Sequence, residues 1–288
     1  TNYFTLMESL INEAKQLLIA LVKTPSFSKE EDQTALIFER YLKEKGIPFQ
    51  RQGNNIWAKN LYFDESLPTI LFNSHHDTVK PNKSYTIDPF GALEKDGKLF
   101  GLGSNDAGAS LVGLLATFLY YYDQKLKYNI IFSATAEEEI SGDNGVKSIL
   151  NELGPINFAI VGEPTKMDLA VAEKGLVVLN CVANGTASHA AHQNDDNSIY
   201  KAMEDISKIE NYEFEKISDV LGKVKATVTI VNAGSQHNVV PDHCDFTIDV
   251  RTNEHYSNQE IVDIVSDLLA SDVQPRSLKL NSSKIPLD

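Results

Sequence analysis

The chain has 288 residues, 42% of them apolar and 23% charged, and its 40 acidic residues outweigh 26 basic ones to leave a formal charge of −14. That length suffices for a large core in one or two domains, and the acidic balance without a basic stripe excludes nucleic acid as a partner. No uncharged apolar run approaches the ~18 residues of a membrane span, and Leu17–Val22, preceded by acids and followed by no small-residue cleavage site, is not a signal peptide.

In chain order, Leu10, Ile11, Ala14, Leu17, Leu18, Leu21 and Val22 recur at helical spacing and predict a helix over 8–23, ended before Pro25. Ser28 with Glu31 three residues on predicts a capping box that opens a second helix, with Gly46 at its C-terminal cap. β-rich runs follow at 55–60 and 69–73, the second continuously apolar as in a buried strand. A buried helix over 107–122, a strand over 128–134, a helix over 144–153 and a strand over 158–161 continue the alternation. That rhythm predicts an α/β fold with a mostly parallel sheet flanked by helices.

After about Lys174 the pattern changes to a strand over 175–183, a helix over 198–209, strands over 225–231 and 245–251, a helix over 258–270 and a last strand over 277–280. This βαββαβ order reads as a separate, compact α+β domain. Cys181 and Cys244 lack any C-x-x-C spacing and suit buried thiols in a reducing cytoplasm.

Functional groups of open α/β sheets gather past the carboxyl ends of the strands. Four segments in such places carry imidazole or carboxylate: Ser74-His75-His76-Asp77, Gly103-Ser104-Asn105-Asp106, Ala136-Glu137-Glu138-Glu139 and Gly162-Glu163-Pro164. Each alone reads as a helix cap or a solvated acidic face. Four on one edge point instead to a metal centre, and imidazole with carboxylates and no thiolate suits zinc, cobalt or manganese. Within His75-x-Asp77 both side chains leave the same side, so Asp77 can accept the free ring N–H and fix the tautomer. Glu138 and Glu139 point different ways, so one can bind metal while the other acts as a base. Other chemistries lack their motifs. Gly101-Leu102-Gly103 misses the third glycine of a dinucleotide fingerprint, Ser188-His189 has no nucleophile elbow, and no H-E-x-x-H occurs.

These segments resemble those of the co-catalytic metallopeptidases and deacylases that include acetylornithine deacetylase, succinyl-diaminopimelate desuccinylase and the aminoacylases, and the resemblance covers essentially the whole chain. It implies a zinc-exopeptidase-like catalytic domain over 1–174, continuing from about 284, with an inserted lid and dimerisation domain over 175–283. It further implies two zinc ions per chain, replaceable by cobalt, with His75 and Glu163 on one metal, Glu139 on the other and Asp106 bridging. Asp77 would orient His75, and Glu138 would be the general base. In the insertion, Gly185-Thr186-Ala187-Ser188-His189-Ala190 resembles a lid motif whose histidine reaches across a dimer to polarise the scissile carbonyl. Asn238-Val239-Val240-Pro241 and Arg251 resemble a substrate clamp, arginine being suited to bidentate binding of an α-carboxylate. His76, His192, His237, His243 and His255 are read as structural or solvent-exposed.

The implied activity is hydrolysis of the amide of a small N-acyl amino acid, such as acetyl- or succinyl-ornithine or acetyl-citrulline in arginine biosynthesis, by a cytoplasmic homodimer. A di- or tripeptidase, an aminoacylase, and a non-catalytic metal-binding descendant are the alternatives. Two departures stand out. Asp106 is followed by Ala107-Gly108-Ala109-Ser110 where the family commonly has a lysine and glycines. The family's last metal ligand, a histidine near its C-terminus, has no counterpart before Asp288, so the second metal is expected to lack one ligand and part of the sheet to be uncovered.

Overall fold

In chain order the first part of the molecule forms α1 (Tyr3–Val22), α2 (Asp32–Glu44), β1 (Gln50–Gln52), β2 (Asn55–Lys59), β3 (Thr69–His75), β4 (Leu93–Lys95), β5 (Lys98–Phe100), α3 (Ser110–Tyr121), β6 (Asn129–Thr135), α4 (Val146–Leu153) and β7 (Phe158–Val161). The structure, a computed structural model, describes residues 3–286. It divides into two compact units between Met167 and Asp168.

Period-two alternation along the central strands decides the layers of the first unit. Ile56, Phe72, Ile130 and Phe132 face one way and pack with Leu21, Phe38, Leu42, Leu115 and Phe118 from α1, α2 and α3. Trp57, Leu71 and Ile131 face the other way and pack with Ile149 and Leu153 of α4. Phe38, Phe118 and Phe132 are fully buried, each contributing roughly 1.5–3 kcal/mol.

The sheet runs β1-β2-β6-β3-β7. Strands β6, β3 and β7 are parallel, as the alternation predicts, whereas β1 and β2 run antiparallel at one edge. The short turn at Gly53-Asn54 between them allows only that arrangement. Register pairs Thr69 with Asn129 through to His75 with Thr135, and Asn73 with Val161, so the parallel strands end nearly level.

The second unit contains β8 (Ala172–Glu173), β9 (Gly175–Asn184), β10 (Ser188–His189), α5 (Ser198–Asn211), β11 (Lys225–Ala233), β12 (Val239–Val240), β13 (His243–Thr252), α6 (Asn258–Leu268), β14 (Asp272–Pro275) and β15 (Ser283–Lys284). Its antiparallel sheet runs β11-β13-β9-β14. Val177, Leu179 and Cys181 of β9 and Phe246, Ile248 and Val250 of β13 share a core with Ala202 and Ile209 of α5 and Ile261 and Val265 of α6. Cys181 and Cys244 are buried free thiols.

Three local expectations change. The last sheet strand lies at Asp272–Pro275 rather than 277–280, because the later residues are held singly, by Asn258 Nδ2 donating to Leu278 O and Leu176 N to Leu280 O. β8 pairs with β15, Glu173 opposite Ser283, which draws residues 168–174 and Lys284 into the second unit instead of the first. Helix α2 begins at Asp32 with no side-chain cap, and the capping box expected from Ser28 and Glu31 does not form. Both side chains are committed elsewhere. Among the described residues no helix is long and apolar enough to cross a membrane.

Candidate metal centre

His75 is the last residue of β3 and only 1% exposed. Its Nε2 lies 3.3 Å from Asp106 Oδ1, 3.7 Å from Glu138 Oε2 and 3.9 Å from Glu163 Oε1. His75, Asp106 and Glu139 present ligand atoms that all fall within 4.8 Å of one another. The opposite ring nitrogen donates to the backbone carbonyl of Asp77 at 3.0 Å and faces Asp77 Oδ1 at 3.4 Å. A proton held there turns the lone pair of the neutral ring, on Nε2, toward the carboxylates. The four segments singled out in the sequence therefore meet around one imidazole.

Local structure explains how each acid is held. Asp106 sits in a wide turn of helix, Ser104–Ala109, but with extended dihedrals of φ −107° and ψ 99°. Glu163 follows β7, and its main chain is fixed by Gly162 N donating to Asn73 O, Ser74 Oγ to Gly162 O, and Ser110 Oγ to Glu163 O. A Cβ at Gly162 would stand 2.9 Å from both Leu114 Cδ1 and Ser110 Cβ, so only glycine allows this close approach. Asp77 is completely buried. Its carboxylate accepts from Ser28 Oγ at 2.7 Å, Glu138 N at 3.0 Å and Glu139 N at 3.2 Å.

The electrostatics describe a site short of positive charge. Burial, with the carboxylates of Glu138, Asp106 and Glu139, pushes Glu163 up to about 7 against the opposing effect of His75. Burial and Asp106 likewise raise Glu139. Burial alone would lower His75, but its bond to Asp77 and the nearby Glu163 and Glu138 reverse this and raise it to about 9. Burial would raise Asp77 too, yet His75, Ser28 and the Glu138 N–H hold its carboxyl below the usual range. One buried imidazole among four carboxylates, with no thiolate, fits hard-to-borderline divalent cations.

In the second unit the pairing of β10 with β12 sets His189 opposite Val239, and Ala190 N donates to Asn238 O at 2.9 Å, so His189 and Asn238 are neighbours. His189 is exposed, and its Nδ1 accepts from Ala191 N at 3.2 Å. Arg251 is engaged: Nε and Nη2 donate to Asp249 Oδ1 and Oδ2 at 2.8 and 3.2 Å, so its fork already holds a carboxylate of its own strand.

His76 is buried, bonded to Thr34 Oγ1 and Asn54 O, and burial pushes it down to about 4, which keeps it neutral. His192 packs edge-on against His189, and His243 bonds Asp242. Three residues around the centre carry no role in the sequence reading. Ser28 and Glu31 look like a helix start, and Glu137, 6% exposed, looks like one acid of a run. Their partners are distant in sequence or set by the fold, so no local spacing reports them.

Residues 71–279 match a family model described as Peptidase family M20/M25/M40. Succinyl-diaminopimelate desuccinylase of Wolbachia pipientis wMel is 24% identical over 286 residues, which cover 93% of this chain and 72% of that relative. The enzyme of the same name from Blochmanniella pennsylvanica (strain BPEN) is 27% identical over 288 residues, covering 92% and 75%. Among solved structures, aminopeptidase PepT from Bacillus cereus ATCC 10987 superposes with a TM-score of 0.73 at 20% identity, covering 97% of this chain and 78% of that one. The Bacillus subtilis YXEP protein, described as a dinuclear metal binding peptidase, gives 0.69 at 20% identity, covering 98% and 77%. With that fold, and with the family model spanning most of its length, the chain belongs to peptidase family M20/M25/M40 and is a hydrolase of amide bonds.

Proposed function

We propose that this chain hydrolyses the amide of a small N-acyl amino acid at a two-metal centre made by His75, Asp106, Glu139 and Glu163, with zinc as the native ion and cobalt able to replace it. The observation that carries this reading is the buried imidazole of His75 facing Asp106, Glu138 and Glu163 within 3.9 Å, beside Glu139. Bound divalent ions supply Lewis acidity and make water acidic enough to react at neutral pH. Asp106, whose ligand atom lies within 4.8 Å of those of His75 and Glu139, would be the carboxylate shared by the two ions.

Glu138 takes the proton of the attacking water and delivers it to the leaving amine. Asp77 keeps the ring of His75 oriented and clamps the main chain that carries Glu138. His189 accepts from Ala191 N at Nδ1, so a neutral ring keeps its proton on Nε2, the donor needed at a developing oxyanion. Asn238, beside it, is a second polar contact for substrate. Arg251 binds a substrate α-carboxylate by exchanging Asp249 for it. In this reading the first unit is the catalytic domain, and the second is the lid through which a cytoplasmic homodimer forms.

The names of the curated relatives favour a succinylated diamino acid, so N-succinyl-diaminopimelate is the first substrate to assay, ahead of N-acetylornithine. A tripeptide is the third, because the solved relatives include peptidases. The test combines elemental analysis with amine release by the wild-type chain and by Glu138→Gln. Two ions per chain, hydrolysis by the wild type and none by the metal-replete variant support the reading. Loss of metal from Glu138→Gln would instead exchange the roles of Glu138 and Glu139, and a chain that binds no ion has no such centre.

A further inference from the structure

Glu31 is 1% exposed and directly precedes α2, where its backbone carbonyl accepts from Ala35 N at 2.9 Å, but its carboxylate does not cap that helix. Oε1 accepts from Lys29 N at 2.7 Å and from Glu137 N at 3.2 Å, and Oε2 accepts from Asn54 Nδ2 at 2.9 Å. A carboxylate taken out of water is costly unless its lone pairs are filled, and here neutral N–H donors fill them. The contact with Glu137 joins residues 106 positions apart.

What Glu31 grips is the loop leaving β6. Glu137 N donates to Glu31, Glu138 N to Asp77 Oδ1 and Glu139 N to Asp77 Oδ2, so three successive amides are held by two buried carboxylates. Glu137 needs such a hold, because it adopts φ +54°, a left-handed conformation disfavoured for residues other than glycine. Its own carboxylate turns away from the centre to Asn144 N and Nδ2. There it occupies space that a Cβ on Gly142 would invade at 2.0 Å. The backbone thus reverses at Glu137 in one defined way, and the side chains of Glu138 and Glu139 leave it in fixed and different directions.

Ser28 works from the same segment. Its hydroxyl donates to Asp77 Oδ2, and Thr78 N donates to Ser26 O at 2.8 Å. Residues 26–31 therefore tie the loop after β3, which directly follows His75, to the loop after β6, which carries Glu138 and Glu139.

We propose that Glu31 is a positioning residue of the metal centre: it sets the aim of Glu138 and Glu139 by fixing the amide of Glu137, and Asn54 sets the aim of Glu31. The role rests on the reading of Glu138 and Glu139 given above. It also assigns a polarity to the Glu31–Asn54 contact that can be reversed. Glu31→Gln alone turns an amide toward the Asn54 amide, donor against donor, and Asn54→Asp alone sets two carboxylates together. The double variant restores one donor and one acceptor, with the second oxygen of the new carboxylate still available to Arg51 Nη2, which now donates to Asn54 Oδ1 at 3.1 Å.

The experiment compares wild type, Glu31→Gln, Asn54→Asp and the double variant by cobalt titration and by hydrogen exchange of the 136–141 segment. Each single variant is expected to weaken cobalt binding at least ~10-fold, as loss of support behind a ligand does, and to speed exchange at 136–141 but not in β6. The double variant should return both to near wild type. Cobalt binding by Glu31→Gln equal to wild type overturns the proposal. So does a loss that the double variant does not recover, since a purely structural defect lowers thermal stability without respecting donor–acceptor polarity. Should one single variant fail to fold, the other single variant and the double variant decide by the same two measurements: loss in the first and recovery in the second support the proposal, and any other pattern overturns it. A wild-type chain that binds no cobalt removes the metal centre, while the exchange data still show whether Glu31 governs the loop.

Discussion

Asp77 Oδ1 accepts the backbone N–H of Glu138 at 3.0 Å across 61 positions of sequence. The same carboxylate faces His75 Nδ1 at 3.4 Å, so one group aims the imidazole and holds the main chain of Glu138. Asp77→Asn replaces an acceptor by a donor against at least one of these N–H groups. Cobalt affinity is expected to fall about 10–100-fold with the fold retained, and turnover to fall with it. A cobalt titration indistinguishable from wild type would falsify the shared role.

Proton release should accompany metal binding. His75 at about 9 is mostly protonated at pH 7, and Glu163 at about 7 is half protonated. As the proposed ligands both would have to give up protons, so metal affinity should rise from pH 6 to pH 9. Calorimetry of zinc binding in buffers of different ionisation enthalpy should report between one and two protons released at pH 7.

The same two groups affect the stability of the chelated chain. Each holds its proton more tightly folded than unfolded, Glu163 relative to an ordinary 4.5 and His75 relative to 6.5. Their contribution is present at low pH, and it is lost as pH rises through about 7 for Glu163 and about 9 for His75. Glu163 is about a third exposed, which weakens its share by solvent screening. Melting of the chelated chain should therefore occur at lower temperature at pH 9 than at pH 6, and the difference should shrink in His75→Ala.

Gly162→Ala probes the support of Glu163 without touching a ligand. The new methyl group meets Leu114, Ser110 and Ser74 at 2.9–3.1 Å. Overpacking of this kind costs about 1–3 kcal/mol. Displacement of the following residue should also weaken binding of one metal ion. Thermal melting and metal stoichiometry measure the two effects separately, and full occupancy at wild-type affinity would show that Glu163 does not depend on this contact.

The proposed substrate roles of His189 and Arg251 separate by kinetics. His189→Ala should lower kcat by about 10²–10³ through loss of an oxyanion donor, with little change in KM. Arg251→Ala should mainly raise KM for substrates with a free α-carboxylate. Asp249→Asn should do the reverse, because it weakens the carboxylate that now occupies the Arg251 fork. Equal effects on an amidated substrate would remove Arg251 from the carboxylate site.

The residues that the structure gathers around His75 are legible in the sequence because they are imidazole or carboxylate in short segments at strand ends or, for Asp106, at a helix start. His75, Glu138, Glu139 and Glu163 stand at or just past β3, β6 and β7, and Asp106 in the turn that leads into α3. Glu31 and Ser28 do not, and two S-x-x-E segments show why. Ser257 with Glu260 forms a capping box at the start of α6. Ser28 with Glu31 has the same spacing but bonds Asp77 and Glu137, 49 and 106 positions away. Local pattern is identical in the two cases, and only the tertiary neighbourhood distinguishes a cap from a brace. The last strand is misplaced in the sequence reading for a related reason. Its position depends on register with β9, and Ser277-Leu278-Lys279-Leu280 alternates as regularly as Asp272–Pro275, so alternation alone does not choose between them.

The level pairing of β3 with β6 has a consequence for the order of events during folding. His75 and Glu138 come together only after strands some sixty positions apart have joined in parallel, with Thr69 against Asn129 and His75 against Thr135. Such non-local pairing forms slowly, after local helices. A slip of one residue would turn His75 to the opposite face of the sheet. Metal therefore has no partial site to seize on the nascent chain and captures only molecules that have already paired correctly, so refolding should proceed at the same rate with or without chelator, and the ion should act afterwards as a lock on the finished register.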